Sequence, residues 1–177
     1  MNATLKFLKK RDSKALGEIY AAYSPDLLRY ISTLLGSSDE SQDVLQRTWC
    51  RVIDHANSLK NPDKFPIWIR RIAHRESIRE LQRKRRYVPL HDEPTEHSVG
   101  AEDLLQFAVY MEDLERVKQA MSKLSVEHRE VIWLAVVDEM DHEQIAAIAE
   151  IPVGTSRSRL HHGIAGLKKI FLERKGG

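Results

Sequence analysis

Short hydroxyl and cationic side chains follow one another in the C-terminal part of the chain. Directly after Gly154 the sequence places five in a row: Thr155, Ser156, Arg157, Ser158 and Arg159. Such side chains donate hydrogen bonds to phosphate oxygens, and a helix N-terminus favours the same anions through its free N–H groups and its dipole. An arginine one turn into a helix can reach a guanine edge with two hydrogen bonds. The chemistry favoured here is therefore recognition of duplex nucleic acid.

The elements that must position this cluster are two helices and a turn. The segment Met140–Ile170 predicts a short amphipathic helix, a turn at Glu150–Ile151–Pro152 and a second helix that begins with the polar cluster. Asp141 is the predicted N-cap, with Gln144 as its capping-box partner. This arrangement is typical of a helix-turn-helix, which enters the DNA major groove. The alternative is an ordinary helical hairpin whose cations are simply solvated.

A second cationic segment lies in the N-terminal half. Residues 60–87 contain ten Lys or Arg against three acids. Aromatic and polar side chains stand at its start: Asn57, Asn61, Lys64, Phe65 and Trp68. Aromatic and cationic groups together favour single-stranded nucleic acid, since bases stack and phosphates pair. The alternative is a solvated helix face whose arginines are partly paired with Glu76 and Glu80.

Arrangements typical of catalysis are incomplete in this sequence. His142–Glu143 begins like a zinc-protease helix, but the second histidine would have to stand at Ala146. His161 and His162 are adjacent, so a helix would point them about 100° apart, and no cysteine or acid completes a metal site. Neither a phosphate-binding glycine loop nor a nucleophile elbow is present. We expect no enzymatic activity, no metal and no cofactor.

Composition limits the class of protein. The chain has 177 residues, 42% of them hydrophobic and 31% charged, which favours folded helical domains over disorder. Cys50 is the single cysteine, so an internal disulfide is excluded and a reducing compartment is favoured. We find no apolar run long enough to span a membrane and no signal-peptide pattern. The expected location is the cytoplasm, with no membrane insertion.

Hydrophobic periodicity predicts an all-α fold of two small helical domains. A helical pattern from Leu16 to Leu34 ends at Gly36, with a possible break at Ser24–Pro25. Further helices are predicted over about 39–56 and 67–86, separated by a loop over Asn57–Pro66. Beyond the polar segment, helices are predicted around Leu114–Leu124 and over Val126–Val137, the latter capped by Ser125. The predicted domains are residues 1–87 and 104–177, joined by a flexible linker over 88–103.

Four ordered motifs resemble bacterial sigma-70-type factors of the small extracytoplasmic-function (ECF) group. Asp43–Trp49 (DVLQRTW) is similar to the family's D-L-V-Q-E-T-F helix, and Phe65–Ala73 (FPIWIRRIA) to its F-x-x-W-L-x-R-I-A segment. Leu124–Val131 (LSVEHREV) is similar to L-P-x-x-x-R-E-V. Ile151–His161 (IPVGTSRSRLH) resembles the recognition-helix signature I-P-V-G-T-V-K-S-R-L-H. The resemblance covers nearly the whole chain.

The resemblance implies a transcription initiation factor. The first domain would bind core RNA polymerase through Asp43, Gln46 and Arg47, and would open the −10 promoter element. The second domain would read the −35 element as duplex, and an anti-sigma factor would control the protein. The −10 contacts implied are Asn61, Lys64, Phe65, Trp68, Arg71, Arg75 and Arg79. The −35 contacts implied or favoured by residue type are Thr155, Ser156, Arg157, Ser158, Arg159, His161 and His162.

This sequence departs from the family pattern at several of these positions. Arg47 stands where the family has Glu, and Arg75 where an Asn contacts promoter DNA. Glu150 replaces a turn Gly, and Ser156 replaces a buried Val. The run His162–Gly163–Ile164 replaces a more basic one, which weakens salt-dependent phosphate binding unless the histidines are protonated. These departures affect promoter preference more than fold.

Two other classes of function remain as alternatives. One is a sigma-like decoy that sequesters an anti-sigma factor without binding DNA. The other is a conventional helix-turn-helix regulator with an N-terminal sensor or dimerisation domain. The retained Arg157 and Arg159 argue against the decoy, and the basic segment 60–86 argues against the sensor domain.

Overall fold

The chain divides into two compact units, with the division between Pro89 and Leu90. The computed structural model describes residues 12–36, 38–85 and 114–173. The N-terminal unit is therefore described over 12–36 and 38–85, and the C-terminal unit over 114–173. All regular elements in these ranges are helical, as the sequence predicts. The predicted linker, 88–103, lies outside the described residues.

Three long helices make up the described part of the N-terminal unit: α1 (Ser13–Leu35), α2 (Ser38–His55) and α3 (Phe65–Arg85). Asp12 caps α1 by accepting hydrogen bonds from the N–H groups of Lys14 and Ala15. The possible break at Ser24–Pro25 does not occur, since α1 continues through Pro25. Gly36 ends α1 in the left-handed conformation (φ 72°), as expected for a C-cap glycine.

The segment between α2 and α3 is more ordered than the predicted loop. It holds two single 3₁₀ turns, Ala56–Ser58 and Pro62–Lys64, and α3 begins at Phe65 rather than at Ile67. The Asn61 side chain accepts a hydrogen bond from the N–H of Asp63 at 2.9 Å and so caps the second turn. Prolines and asparagines thus serve here as turn formers that lead directly into a helix.

The core of the N-terminal unit is apolar and is closed by aromatic contacts. Phe65 is fully buried and makes an edge-to-face contact with Tyr23, with ring centroids 5.2 Å apart. Trp49 on α2 lies 5.1 Å from Tyr20 on α1, measured between ring centroids. Edge-to-face and tilted ring pairs add to the stabilisation from area burial. The remaining large buried side chains come from all three helices: Leu27, Tyr30, Ile31, Leu34, Val44 and Ile69.

Two buried carboxylates tie α3 to α2. The side chains of Glu76 and Glu80 are only 6% exposed, although both are ionisable. Arg47 on α2 places Nη2 2.8 Å from Glu80 Oε2, and Arg51 on α2 places Nε 3.5 Å from Glu76 Oε1. On α3 itself, Arg79 pairs with Glu76 and Arg83 with Glu80. Carboxylates buried to this degree require such partners.

Four helices and one π-helical turn form the described C-terminal unit. They are α4 (Leu114–Ser122), α5 (Val126–Ile132) with the turn Trp133–Val137, α6 (His142–Ala149) and α7 (Val153–Glu173). Ser125 caps α5 as predicted, accepting from the N–H of His128 at 3.4 Å. The predicted single helix over Val126–Val137 changes to π-helical winding at Trp133. Helix α7 packs against α4, α5 and α6 and forms the centre of the unit.

Two glycines allow α7 to approach its neighbours closely. A Cβ atom on Gly163 would lie 2.9 Å from Ile132 Cδ1 and 3.2 Å from His128 Cβ, both on α5. A Cβ atom on Gly166 would lie 2.9 Å from Leu124 Cδ2. Real Cβ atoms essentially never approach other atoms to 2.9 Å, so a side chain added at either glycine would force its neighbours to shift. The ends of Ile132 and Leu124 can rotate away at small cost, but the Cβ of His128 cannot, so the close approach at Gly163 is the stricter of the two.

Replacement of Gly163 by Ala tests this close approach. We expect the added methyl group to lower the free energy of unfolding by about 1–3 kcal/mol through overpacking, partly offset by the better helix propensity of Ala. The matched control is Gly154→Ala in the same helix, where an added Cβ meets nothing within 4 Å. We expect that control to be as stable as the natural chain or slightly more stable. Urea unfolding followed by far-UV circular dichroism measures both, and equal stability of the two variants would contradict the packing argument.

Replacement of Glu80 by Gln tests the buried carboxylates. The hydrogen bond from Arg83 lowers the pKa of Glu80 below its ordinary 4.5; burial opposes this shift, and the charges of Arg83 and Arg47 reinforce it. Since the folded pKa is the lower one, Glu80 contributes stability above pH 4.5 and loses it as the pH falls through the folded value. We expect Glu80→Gln to cost about 1–3 kcal/mol at neutral pH, because the arginines are partly solvated, and much less in acid.

The comparison for Glu80→Gln is Asp26→Asn, which breaks an ion pair with Arg29 between two well-exposed side chains. Exposed pairs contribute little, so this variant should resemble the natural chain at every pH. Unfolding curves at neutral and acid pH give the required differences. A cost of Glu80→Gln that is constant with pH would show that its charge does not stabilise the fold.

Candidate nucleic-acid interface

Helices α6 and α7 form the predicted helix-turn-helix. Asp141 accepts from the N–H of Gln144 at 2.8 Å, and the Gln144 side chain accepts from the N–H of Asp141 at 3.1 Å, which completes the predicted capping box. Glu150 follows α6 in the left-handed conformation (φ 56°), and α7 begins at Val153. The turn therefore lies where the sequence predicts it. The apolar face of α6 is buried as expected: Ile145, Ala146, Ile148 and Ala149.

Glu150, which stands where the family has a turn glycine, is compatible with the geometry of the turn. A left-handed backbone is readily adopted by glycine and costs other residues about 1 kcal/mol or more. The turn keeps this conformation although the side chain is present, so the helix-turn-helix geometry does not require glycine here. The departure therefore leaves the fold intact and places an acidic side chain at the turn that precedes α7.

The first turns of α7 present cationic groups to solvent. Arg157 and Ser158 are exposed, while Thr155, Arg159, His161 and His162 are partly exposed. Ser158 Oγ lies 3.3 Å from His162 Nδ1, and the rings of His161 and His162 are 5.6 Å apart between centroids. Within the described residues, Arg157 and Arg159 form no ion pair with an acid. Their guanidinium groups are therefore available to an external anion.

Ser156 lies on the opposite side of α7 and is not positioned to contact DNA. It is fully buried, and its hydroxyl lies 2.9 Å from Nδ1 of His142 on α6. The prediction that Ser156 contacts DNA is therefore wrong, because one residue of helical rotation turns it toward α6. The hydroxyl replaces a buried apolar side chain of the family and receives a polar partner in His142. This pair fixes α7 against α6. His142 and Ser156 are 14 residues apart, and no sequence motif pointed to a contact between them.

The predicted single-strand contacts divide into exposed and buried residues. Asn61 and Lys64 are exposed, and Trp68 is partly exposed at the start of α3. Phe65 is fully buried between Tyr23 and Trp68, so the prediction that it stacks on a base is wrong. Its aromatic ring instead fixes the start of α3, and thereby the direction in which Lys64 and Trp68 project.

The arginines along α3 do not form one uniform surface. Arg71 and Arg75 are exposed on the outer side of the helix. Arg79 pairs with the buried Glu76, which agrees with the alternative that part of the basic segment is paired. The positive charge offered to an external anion near Arg79 is therefore smaller than the residue count indicates.

The predicted polymerase-binding residues Asp43, Gln46 and Arg47 all lie exposed on α2. Arg47 also reaches α3, where its guanidinium binds Glu80 and lies 3.9 Å from Glu76. Its charge therefore helps to hold α2 against α3, and its assignment to the polymerase-binding surface stays a prediction. The signal for this role was the pair of acids at Glu76 and Glu80, four residues apart on one helix face.

Two other kinds of site are absent from the described part of the chain. No helix there is long and apolar enough to cross a membrane. Over the same residues, no group of three or more histidines, cysteines and acids is arranged to hold a metal ion. Cys50 is exposed on α2. The notable surfaces are thus the cationic ones on α3 and α7.

Two family models match this chain, one on each unit. "Sigma-70 region 2" matches residues 19–87, and "Sigma-70, region 4" matches residues 114–166. The first match contains α2, α3 and the turns between them. The second contains α4, α5, α6 and the part of α7 up to Gly166. The two surfaces described above therefore fall within two different regions of one family.

Similar curated proteins extend over nearly the full length. The ECF RNA polymerase sigma factor SigW of Bacillus subtilis is 28% identical over 174 residues, which cover 93% of each chain. The RNA polymerase sigma factor CarQ of Myxococcus xanthus is 24% identical over 163 residues, covering 90% of each. The ECF RNA polymerase sigma factor SigL of Mycobacterium tuberculosis is 28% identical over 158 residues, covering 88% of each.

Two solved structures share the fold. One is the structure of CnrH in complex with the cytosolic domain of CnrY, with a TM-score of 0.67, 20% identity and coverage of 96% of this chain and 94% of that one. The other is the sigma factor RpoE in complex with the anti-sigma factor NepR from Bartonella quintana, with a TM-score of 0.71, 21% identity and coverage of 89% and 97%. Together with the ordered motifs and the two family models, these likenesses show that the chain belongs to the sigma-70 family of RNA polymerase sigma factors, in its ECF group.

Proposed function

We propose that this sigma factor reads its promoter with two separate surfaces, one on each unit, joined by a linker over 88–103. The domain of residues 104–177 recognises the −35 element as duplex, with α7 in the major groove. The contacts are Thr155, Arg157, Ser158, Arg159, His161 and His162. The observation that carries this assignment is that Arg157 and Arg159 reach solvent without an acidic partner in the described residues. Cations in this state can replace the counterions of DNA.

The domain of residues 1–87 captures the separated −10 strand. The end of the 3₁₀ turn and the start of α3 provide Asn61, Lys64 and Trp68, where an exposed amide, an ammonium and a partly exposed indole lie within one short segment. Arg71 and Arg75 continue the path along α3 for the phosphates. Arg79 contributes less, because Glu76 neutralises part of its charge. Phe65 acts beneath this surface by holding α3 in place.

Core RNA polymerase docks on the outer face of α2. Asp43 and Gln46 are exposed there on adjacent turns. Arg47 stabilises this surface, because its ion pair with Glu80 fixes α2 relative to the strand-binding helix α3. Docking and strand capture are then mechanically linked through one buried carboxylate. The protein itself performs no chemistry; it supplies a sequence address and binding energy for strand separation.

An anti-sigma factor controls this activity in our proposal. One of the structures that share the fold is a sigma factor bound to the anti-sigma factor NepR, and the other is bound to the cytosolic domain of CnrY. A protein that occupied the cationic surfaces or α2 would block promoter or polymerase binding. We also propose a cytoplasmic location, since RNA polymerase and promoter DNA are found there.

The two alternative functions fit the described surfaces less well. A decoy that only sequesters an anti-sigma factor does not need Arg157 and Arg159 free of acidic partners. A regulator with a sensor domain does not need the exposed Lys64 before α3, or the partly exposed Trp68 and exposed Arg71 and Arg75 on α3. A bipartite promoter reader uses both surfaces.

Reconstitution with core RNA polymerase tests the proposal and separates the alternatives. The purified chain is added to core enzyme, and promoter-dependent initiation is measured on a library of genomic fragments. A stable complex with specific start sites supports a promoter-specificity subunit. A complex without initiation favours the decoy, and the absence of any complex would exclude the proposed function.

Arg157→Ala tests the −35 assignment. We expect the loss of about 1–3 kcal/mol in binding to a promoter selected from that library, with relaxed preference at one base position, if Arg157 contacts a base edge. The matched control is Lys169→Ala, an exposed cation near the other end of α7. Fluorescence anisotropy with labelled duplex measures both variants. An unchanged promoter profile for Arg157→Ala would contradict the assignment.

Replacement of Asp43 and Gln46 by Ala tests the docking surface. We expect the double variant to bind core polymerase on the order of tenfold more weakly, since two polar contacts worth about 1 kcal/mol each would be lost. Binding to an isolated −35 duplex should not change, because these residues lie in the other unit. The control is Glu18→Ala on the exposed side of α1. Equal loss in both assays would indicate misfolding and not a docking defect.

A further inference from the structure

The close approach of α7 to α5 brings a third histidine next to the recognition helix. His128 on α5 lies with its Cβ 3.2 Å from where a Cβ of Gly163 would be. Arg159 lies about one helical turn before Gly163, and His162 lies one residue before it. Both residues therefore border the contact between Gly163 and His128. Ser158 adds a hydroxyl, with Oγ 3.3 Å from His162 Nδ1. Groups from two helices thus converge at the side of the DNA-facing surface.

The charges in this cluster have predominantly one sign. Burial lowers the pKa of His128 from its ordinary 6.5; the charge of Glu127 opposes this shift, while His162 and Arg159 reinforce it. The charged groups that act on His128 in the described residues are therefore Glu127 on its own helix and Arg159 and His162 on α7. Glu127 is the one acid among these three groups. An arrangement of this kind is stabilised by an external anion.

We propose that His128, Arg159 and His162 form a proton-linked binding site for a backbone phosphate of the promoter duplex, at the flank of the recognition helix. This site deepens the proposed −35 recognition and rests on it. Arg159 provides a permanent charge, Ser158 a hydroxyl donor, and the His128 imidazole a charge that depends on pH. His128, which the sequence motifs did not assign to DNA, becomes part of the interface from a neighbouring helix.

Phosphate binding has a defined consequence for protonation. An anion beside His128 favours the charged imidazole and raises its pKa in the complex above the value in the free protein. The complex therefore takes up protons when it forms. Affinity is greatest below the free-state pKa and is lost as the pH rises through the bound-state pKa. Each phosphate neutralised also steepens the dependence of affinity on salt by about one counterion.

Binding to duplex at two pH values tests the site in the full-length chain. We expect the natural protein to bind a selected promoter duplex on the order of tenfold more tightly near pH 6 than near pH 8, as uptake of roughly one proton allows. His128→Gln should lose most of this difference, and its salt dependence near pH 6 should fall by about one ion. His128→Lys carries a permanent charge and should bind near pH 8 almost as tightly as the natural protein does near pH 6.

The control for these variants is His55→Gln. His55 is an exposed histidine on α2, in the other unit, and its Nδ1 lies 3.1 Å from the backbone oxygen of Arg51. The His55→Gln variant should bind the promoter duplex with the same pH dependence as the natural chain. Far-UV circular dichroism confirms that each variant is folded before binding is compared, and His128→Lys provides the gain of affinity that a misfolded protein would not show.

Nuclear magnetic resonance titration of the His128 ring separates this site from the promoter function. Phosphate contact does not require sequence recognition, so a short duplex of unrelated sequence at low salt serves as the probe. A higher His128 pKa with duplex than without it supports the site. An unchanged His128 pKa, together with full pH dependence in His128→Gln, overturns it. Failure of the chain to direct initiation by core polymerase would instead overturn the proposed function, whatever the titration shows.

Discussion

The position of α7 depends most on the missing side chain of Gly163. Because this residue lets α7 pack closely against His128 and Ile132, the helix is held by α5 as well as by α6. The hydrogen bond between Ser156 and His142 adds a polar attachment on the α6 side. A recognition helix held from two sides keeps its outer residues at a fixed angle to the rest of the unit. Preorganisation of this kind limits the entropy that DNA binding must overcome.

The N-terminal unit uses charge where the C-terminal unit uses close packing. Glu76 and Glu80 are buried between α2 and α3, and arginines from both helices surround them. A buried carboxylate that loses its partner is strongly destabilising, so these arginines cannot be exchanged freely. The cations of the basic segment 60–87 therefore have different roles. Some of its cations stabilise the fold, and others lie exposed along α3.

Periodicity and capping patterns were enough to predict the helices, the helix-turn-helix and the turn at Glu150, because those features depend on local sequence. The capping box at Asp141 and Gln144 is an example in which both partners lie within one turn. The burial of Phe65 and Ser156 could not be predicted in the same way, since it depends on which side of a helix meets Tyr23 or His142. The role of Arg47 likewise depends on residues 29 and 33 positions away. Residue type assigned Ser156 to a DNA contact, and motif resemblance assigned Phe65 and Arg47 to ligand contacts, without the contacts that each side chain makes within this chain.

The exposure of the arginines around Glu76 and Glu80 has a practical consequence for experiments with salt. Their side chains are 44–68% exposed, so mobile ions reach the outer half of each pair. Raising the salt concentration therefore weakens the attachment of α2 to α3 at the same time as it competes with DNA for the surface cations. A salt titration of promoter binding by this protein measures both effects together. Counterion release can be extracted from it only after the ionic-strength dependence of folding has been subtracted.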